Sequence, residues 1–456
     1  MSERFDLIVI GGGSAARAAA DKAERDYGAR VALVERERWG GSCPNVACQP
    51  TKAYLVAAEL VHDVNTRAET IGIDVGPAKP DLARIEAWKE SLKKQQPQWV
   101  EELSERYSTF TGEATLVDAR TVRVGEAELE SDRILIATGS RTAVPPIDGI
   151  ENVDWLDHVS ALELTEAPES LLVVGAGAVG LEFGQIFTRF GSRVTIVDAA
   201  DRIAPLADAD ACAKLAAALE DEGIEIVVSA FVKSVQRDGD VIVAAIAPRD
   251  GSAEREVRAS QILLASGRVP NLESLNLEEI GIERTKLGVA VDDRMRTSVD
   301  GIWAAGDIDA VAQLTPVAQY QARIAVADMF GEDGPAADYS VLPTSIFTDP
   351  ELGSVGLTEE QASEEGYEVE TVTHDAVKRF QWIGARHGLF KVVFDGATRR
   401  VLGLHVVSRN AGEIVQGLSL GLKLGATVDD LAGMHHVFPT FGEGIKAAAE
   451  RALVHA

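Results

Sequence analysis

A chain of 456 residues with 46% hydrophobic content is long enough for two to four domains, each with a buried core. Its formal charge of −28 excludes a nucleic-acid role, which needs cationic surface to displace phosphate counterions; the acidity reads as solubility. No apolar run approaches the ~20 residues of a membrane span, so no membrane role is expected.

The opening Met1-Ser2-Glu3-Arg4-Phe5-Asp6 carries charges of both signs and leads into a strand, so no signal peptide is expected and a cytoplasmic location is. Leu7-Ile8-Val9-Ile10 reads as a short buried strand and Gly11-Gly12-Gly13 as a turn. Alanine-rich 15–25 reads as a helix, Gly28 as its end, and Val31-Ala32-Leu33-Val34 as a second strand. This is a βαβ start of the Rossmann type. In Gly11-x-Gly13-x-x-Ala16 the first glycine permits the turn and the second lets a pyrophosphate approach the backbone. The small third residue lets helix and strand pack. The helix N-terminus offers amides and positive dipole to phosphates, and Glu35 closes the second strand where a carboxylate takes ribose hydroxyls.

Next comes Gly40-Gly41-Ser42-Cys43-Pro44-Asn45-Val46-Ala47-Cys48-Gln49-Pro50-Thr51-Lys52. Three cysteines in a chain this long make no structural disulfide framework, and in a reducing compartment a close pair points to catalysis or metal binding. Cys43 and Cys48, with four residues between them at a helix start, can close a small disulfide. They cannot complete a tetrahedral zinc site, because no further cysteine is available and histidine is sparse. Helix-start amides favour the thiolate, which can exchange electrons with a flavin ring, attack a disulfide or bind a soft metal ion. Lys52 adds a positive charge nearby.

Residues 81–105 have helical periodicity, and short strands follow, ending in Ile134-Leu135-Ile136-Ala137. The βαβ design then recurs: strand Leu171-Leu172-Val173-Val174, turn Gly175-Ala176-Gly177, helix 179–190 and strand Val194-Thr195-Ile196-Val197. Gly175-x-Gly177-x-x-Gly180 repeats the fingerprint, with Asp198 at the corresponding strand end. A carboxylate there accepts from a free 2′-hydroxyl and repels a 2′-phosphate, which favours NADH; Arg202, swinging inward, is the route by which NADPH is accommodated. Cys212 is expected to fill a helix face as a small hydrophobe. The stretch 331–338 reads as a linker. Beyond it, strands such as Phe390-Lys391-Val392-Val393-Phe394 alternate with helices, as in an α+β domain without a third glycine fingerprint. Arg379-Phe380-Gln381-Trp382 is a cation–aromatic cluster, read either as pocket lining or as an exposed arginine stacked on an interface aromatic.

With these motifs the chain resembles the pyridine nucleotide–disulfide oxidoreductases, the family of dihydrolipoamide dehydrogenase, glutathione reductase and mercuric reductase. The resemblance runs from the first glycines to Gly442-Glu443 and takes in Ala137-Thr138-Gly139-Ser140, Ser266-Gly267-Arg268-Val269-Pro270-Asn271 and Ala305-Gly306-Asp307. It implies an α/β fold of two tandem Rossmann-like dinucleotide-binding domains plus a C-terminal α+β dimerisation domain. Residues 1–147 would be the first part of the FAD-binding domain and 148–265 the NAD(P)-binding domain. Residues 266–336 would return to the FAD-binding or central domain, and 337–456 would form a homodimer. It further implies FAD and NADH (with NADPH as the alternative) as cofactors, and a redox-active Cys43–Cys48 disulfide. Cys48 would be the charge-transfer thiol, Cys43 the interchange thiol, and Lys52 would pair with Glu182 beside the flavin, the alternative being a plain inter-helix salt bridge. Asp307 would contact the ribityl chain, and Gly41, Lys52, Gly139, Gly267 and Ala318 complete the implied cofactor-binding set.

The resemblance breaks at one place. Disulfide reductases of the family end in a His-Pro motif followed by Glu, and the partner subunit's histidine protonates the leaving thiolate. Here the segment is His435-His436-Val437-Phe438-Pro439-Thr440-Phe441-Gly442-Glu443: Pro439 and Glu443 are in place, but Phe438 stands where the acid belongs. Phenylalanine transfers no proton, a loss of about 10²–10⁴-fold where the leaving thiol needs one. His436, two residues upstream, is the one nearby replacement, and as an acid it would be displaced by several ångströms. The Phe-Pro ending resembles mercuric reductases, whose substrate ion needs thiolates rather than an acid. Yet the last residues, 450–456, carry no cysteine pair of the kind those enzymes have, and no metal-carrier domain precedes the first strand, so efficient mercury turnover is not expected. The expected activity is reduction of an acid-independent acceptor, a soft metal ion or quinone. The alternatives are a low-molecular-weight disulfide or dihydrolipoamide-type reaction, and a redox-sensing flavoprotein with little turnover.

Overall fold

The computed structural model describes residues 3–93, 96–331, 334 and 336–454. It divides into two compact units, one of Met1–Thr51, Ala87–Ala143 and Arg268–Asp338, the other of Lys52–Glu86, Val144–Gly267 and Tyr339–Ala456.

In the first unit a five-stranded parallel sheet runs, in spatial order, Ile302–Ala304, Ile134–Ile136, Leu7–Ile10, Val31–Glu35 and Ser108–Thr111. Leu7–Ile10 is buried at every position, as a parallel strand covered on both faces must be. Helix Ser14–Tyr27 follows it and is capped by Gly28 in the left-handed conformation (φ 64°). Its buried alanines share a core with the face of helix Thr315–Met329 that carries Ala318, Ala322 and Ala325; small side chains allow this packing. A four-stranded sheet in the same unit runs, in spatial order, Glu3–Arg4, Ala127–Glu130, Thr121–Val124, Ala114–Asp118. The helical periodicity over 81–105 resolves into two helices, Leu82–Ser91 and Gln96–Arg106.

In the second unit the duplicated βαβ element stands in a four-stranded parallel sheet, ordered Glu225–Val227, Arg193–Val197, Ser170–Val174, Gln261–Leu264, with helix Ala178–Arg189 packed on it. A three-stranded antiparallel sheet, Ala230–Asp238, Val241–Pro248 and Arg255–Ala259, belongs to the same region. The α+β segment is a five-stranded antiparallel sheet, ordered Thr344–Ile346, Glu351–Gly356, Val401–Ser408, Leu389–Asp395, Val369–His374. Helices Ala411–Lys423 and Glu443–Val454 contribute to its core. Glu332, Asp333 and Pro335 of the expected linker lie outside the described residues.

Lys391, in the middle of a fully buried strand, is 1% exposed. Its ammonium lies 3.0 Å from Asp208, 2.7 Å from Asp210 and 2.6 Å from Glu359. Burial works against the charge, but the hydrogen bonds with Asp210 and Glu359 and the Asp208 carboxylate overcome it and hold the group above the usual lysine range. Asp208 is equally buried and also caps helix Ala209–Asp221 through the Asp210 amide. Lys391→Met therefore strands a buried carboxylate. It is expected to cost about 3–5 kcal/mol, read as a fall in the thermal unfolding midpoint; a midpoint within a degree or two of the parent would contradict this account.

Candidate active site

The first glycine turn is shaped by clearance. A Cβ at Gly11 (φ +125°) would sit 2.2 Å from the Ala137 carbonyl oxygen, and one at Gly41 (φ +70°) would sit 2.7 Å from the Gly13 Cα. The cysteine loop is laid against this turn by the Gly40 N–H, which donates to the Gly12 carbonyl at 2.9 Å. Gly13 is the N-cap of helix Ser14–Tyr27, so no capping side chain takes the first-turn amides, and Ala16 is fully buried beneath them. Glu35 does more than end its strand: Oε2 accepts from the Gly12 N–H at 2.7 Å, and Oε1 accepts from the Glu37 and Arg38 amides.

The second turn repeats this device. A Cβ at Gly175 (φ +112°) would lie 2.4 Å from the Ala265 carbonyl oxygen, and one at Gly180 would lie 1.9 Å from the Gly175 carbonyl oxygen. Gly177 caps helix Ala178–Arg189 and opens on free space. Asp198 Oδ2 accepts from the Ala176 N–H at 2.6 Å and Oδ1 from the Ala200 N–H at 2.7 Å. Arg202 points elsewhere, donating to Glu360 at 2.6 Å.

Asp307 follows strand Ile302–Ala304, and its Oδ2 accepts from Ser140 Oγ at 2.5 Å. Arg268 donates to the same Ser140 hydroxyl at 2.8 Å and stands 3.8 Å from the Asp307 carboxylate. Gly139 and Gly267 both adopt positive φ (67° and 113°), which turns the chain at either end of the paired strands Ser140–Thr142 and Arg268–Pro270. A Cβ at Gly306 would lie 3.2 Å from that of Ala318 and 3.6 Å from that of Ala15. Asp309 was not expected from the sequence. It is 6% exposed, its Oδ1 accepts from the Val311 N–H, and its Oδ2 is buried without a hydrogen-bond partner. Burial, with Asp307 nearby, pushes its carboxyl up to about 6.

Cys43 lies half-buried in a four-residue helix, Ser42–Asn45, and exposed Cys48 begins the separate helix Cys48–Thr66. The single expected helix start is thus two. Cys48 Sγ is 3.9 Å from Thr315 Oγ1. Thr315 opens helix Thr315–Met329 ahead of Pro316, a start signal legible in Leu314-Thr315-Pro316, though its proximity to a thiol was not. One turn along from Cys48, Lys52 donates to both oxygens of Glu182, at 3.1 and 2.8 Å. Glu182, on helix Ala178–Arg189, is 4% exposed and also accepts from the Phe347 N–H, and the Lys52 ammonium lies 4.4 Å from the Phe347 ring centroid. A bidentate contact with a third backbone bond is more ordered than a surface ion pair.

In the C-terminal segment Val437 and Phe438 are 77% and 74% exposed. His436 turns the other way: its Nε2 is buried without a partner, and burial and Lys446 push its pKa down, Glu443 and Glu450 offsetting only part. Glu443 begins the last helix and accepts weakly from the Thr440 amide at 3.5 Å. Arg379 stacks 4.8 Å from the Phe441 ring centroid, while Phe380 is buried and Trp382 exposed, so the cluster divides among three environments. Cys212 is 1% exposed, with burial pushing its thiol up to about 11, as befits a packing residue.

The sequence matches the family profile described as pyridine nucleotide-disulphide oxidoreductase over residues 5–322, and the dimerisation domain of the same family over 342–449. The chain belongs to the pyridine nucleotide–disulphide oxidoreductase family. It is 38% identical over 453 residues to a mercuric reductase of Lysinibacillus sphaericus, covering 98% of this chain and 82% of that one. A dihydrolipoyl dehydrogenase of Thermus scotoductus is 36% identical over 453 residues, covering 98% and 97%. The solved Cu(II) complex of the HOCl-induced flavoprotein disulfide reductase RclA from Escherichia coli superposes with a TM-score of 0.86 at 28% identity, covering 99% and 100%. This family member is an FAD-dependent oxidoreductase that uses NAD(P)H and carries a dimerisation domain. The residues fit the cofactors: both glycine turns are cradles that a Cβ would fill, and both helix N-termini are capped by glycine. Among the described residues no helix is long and apolar enough to cross a membrane.

Asp309 makes stability depend on pH. Its folded value of about 6 lies above the ordinary 3.8, so between these values the native state holds a proton that the unfolded chain has released. Its contribution to stability therefore falls as pH rises through that window, by about 3 kcal/mol at most. Asp309→Asn should remove this loss, so the variant's unfolding midpoint relative to the parent should rise between pH 4 and pH 7. A difference that stays flat with pH would show that the carboxyl does not titrate there.

Proposed function

We propose that this chain forms a homodimeric NADH-dependent flavoenzyme that delivers electrons through Cys43 and Cys48 to an acceptor requiring no protein acid, a soft metal ion foremost and a quinone next. Bound FAD supplies the two-electron relay between nicotinamide and the cysteine pair. Gly11, Gly13, Ala16, Gly41, Gly139 and Ala318 provide the close approach for it, Glu35 the ribose end, and Asp307, held by Ser140, the ribityl end. Gly175, Gly177, Gly180, Asp198 and Gly267 form the nicotinamide nucleotide's site. Arg202, committed to Glu360, leaves Asp198 facing the 2′ position, which supports NADH as the preferred donor. Lys52, fixed by Glu182, holds positive charge where reduction builds negative charge. Cys48 serves as the cofactor-side thiol and Cys43 as the thiol that meets the acceptor.

The observation that carries the choice of acceptor is the exposed Phe438 at the acid's position, with His436 Nε2 buried beside it. A disulfide acceptor releases a thiolate that must be protonated, whereas a soft metal ion is taken by two thiolates and needs no proton donor. The mercuric reductase relatives and the Cu(II)-bound neighbour support this reading. A second reading, a dihydrolipoamide-type reaction, is favoured by 36% identity to a dihydrolipoyl dehydrogenase along almost the full length of both chains. Glu443, retained at the start of the last helix, is then a structural acceptor.

Purified enzyme assayed with NADH against Hg(II), Cu(II), quinones, lipoamide and small disulfides should turn over the metal ions or quinones fastest; lipoamide turnover exceeding both would reject the first reading. Cys43→Ser should abolish metal and disulfide turnover while leaving NADH oxidation by dyes, which take electrons directly from the flavin, and equal loss of both would reverse the assigned roles. Phe438→His should raise disulfide turnover about ten-fold or more, the missing acid being worth about 10²–10⁴; an unchanged rate would show that proton supply is not limiting.

A further inference from the structure

We propose that Arg249, and not Arg202, is the residue through which this chain accepts NADPH beside NADH. This rests on the reading of the Gly175–Asp198 turn as the nicotinamide nucleotide's site. A 2′-phosphate at such a site lies against the residues that follow the strand-end acid, and needs a cation there. The sequence around Asp198 offers only Arg202, but that guanidinium is drawn off by Glu360 at 2.6 Å, with Asp201 3.9 Å away.

The structure brings a second arginine to the same place from 50 positions along the chain. Strand Val241–Pro248 ends one residue before Arg249, opposite the start of strand Ala230–Asp238. That start is tied to the acid's own segment: the Ala230 N–H donates to the Asp198 carbonyl at 3.0 Å and the Ser229 N–H to the Ala200 carbonyl at 2.6 Å. The Arg249 N–H in turn donates to the Ser229 carbonyl at 2.8 Å. Backbone hydrogen bonds thus place Arg249 beside residues 198–200, and its exposed side chain donates Nη1 to the Ala199 carbonyl at 2.9 Å. Ala199 directly follows Asp198.

This anchor is a neutral carbonyl, which leaves the guanidinium's charge and its remaining N–H donors for a ligand anion, in contrast to the carboxylate that engages Arg202. Both Asp198 oxygens already accept backbone amides, so the acid is held in the turn and cannot swing away from a 2′-phosphate. Asp198 thus sets the preference for the 2′-hydroxyl, and Arg249 offsets its repulsion of the phosphate.

Calorimetric titration of the FAD-loaded enzyme with NAD⁺ and with NADP⁺ tests the assignment without relying on turnover. Arg249→Ala should weaken NADP⁺ binding about ten-fold or more, the loss expected for a charge-assisted hydrogen bond, with NAD⁺ binding unchanged. Arg249→Lys should recover part of the loss, and Arg202→Ala should leave both nucleotides alone. The proposal is overturned if Arg249→Ala weakens both nucleotides equally, if it leaves NADP⁺ binding unchanged, if Arg202→Ala produces the selective loss, or if the parent enzyme binds NAD⁺ but not NADP⁺. Failure of both nucleotides to bind would instead remove the nucleotide site itself, and the proposal with it.

Discussion

In both parallel sheets a glycine turn and a strand-end carboxylate meet through one hydrogen bond: the Gly12 amide to Glu35, and the Ala176 amide to Asp198. This bond ties together the two features a dinucleotide needs. In the proposed reading the turn would present helix-start amides to a pyrophosphate, and the acid at the next strand end would meet a ribose. Because the acid is also bonded to the backbone beyond its own strand, the turn, the helix start and the ribose end form one rigid unit. The cysteine loop is then hung on the first of these turns by the Gly40–Gly12 hydrogen bond and the close Gly41–Gly13 approach. The cysteine pair is thus tied by a backbone contact to the first glycine turn.

Around this frame charge is distributed with economy. Lys52 is paired with one deeply buried carboxylate and faced by an aromatic ring. Asp307 is held by a hydroxyl that is itself held by Arg268, whereas Asp309, two positions on, has a buried oxygen with no partner. Burial, the largest influence on it, raises the Asp309 carboxyl above its ordinary value. At the C-terminal segment the exposed position holds a phenylalanine, while the Nε2 of the nearby His436 is buried without a partner.

Much of the site was legible because its signals are local. Glycines at fixed spacing, an apolar strand before them and an acid after the next strand are consequences of steric clearance and helix electrostatics over a few dozen residues. The same holds for two cysteines followed by a lysine. The Lys52–Glu182 pair was reached only through resemblance, since nothing within either helix indicates the other. Thr315, Asp309 and Arg249 went unremarked, because a threonine at a helix start, an acid in a loop and an arginine after a strand are ordinary until their neighbours are known. Lys391 is the clearest case: nothing in its apolar strand indicates the three carboxylates from distant segments that enclose its ammonium.

By itself the sequence determined the two dinucleotide-binding folds, the family, the close pair Cys43 and Cys48 and the Phe438-Pro439 ending, since each depends on residue type and short spacing. Only the tertiary structure decided which of the charged and polar groups are engaged: that Arg202 is taken by Glu360, that Arg249 stands beside Ala199, and that His436 Nε2 is buried without a partner. The physical reason is that a charged or polar group acts according to its desolvation and its partners. Those partners come from parts of the chain that spacing along the sequence does not connect.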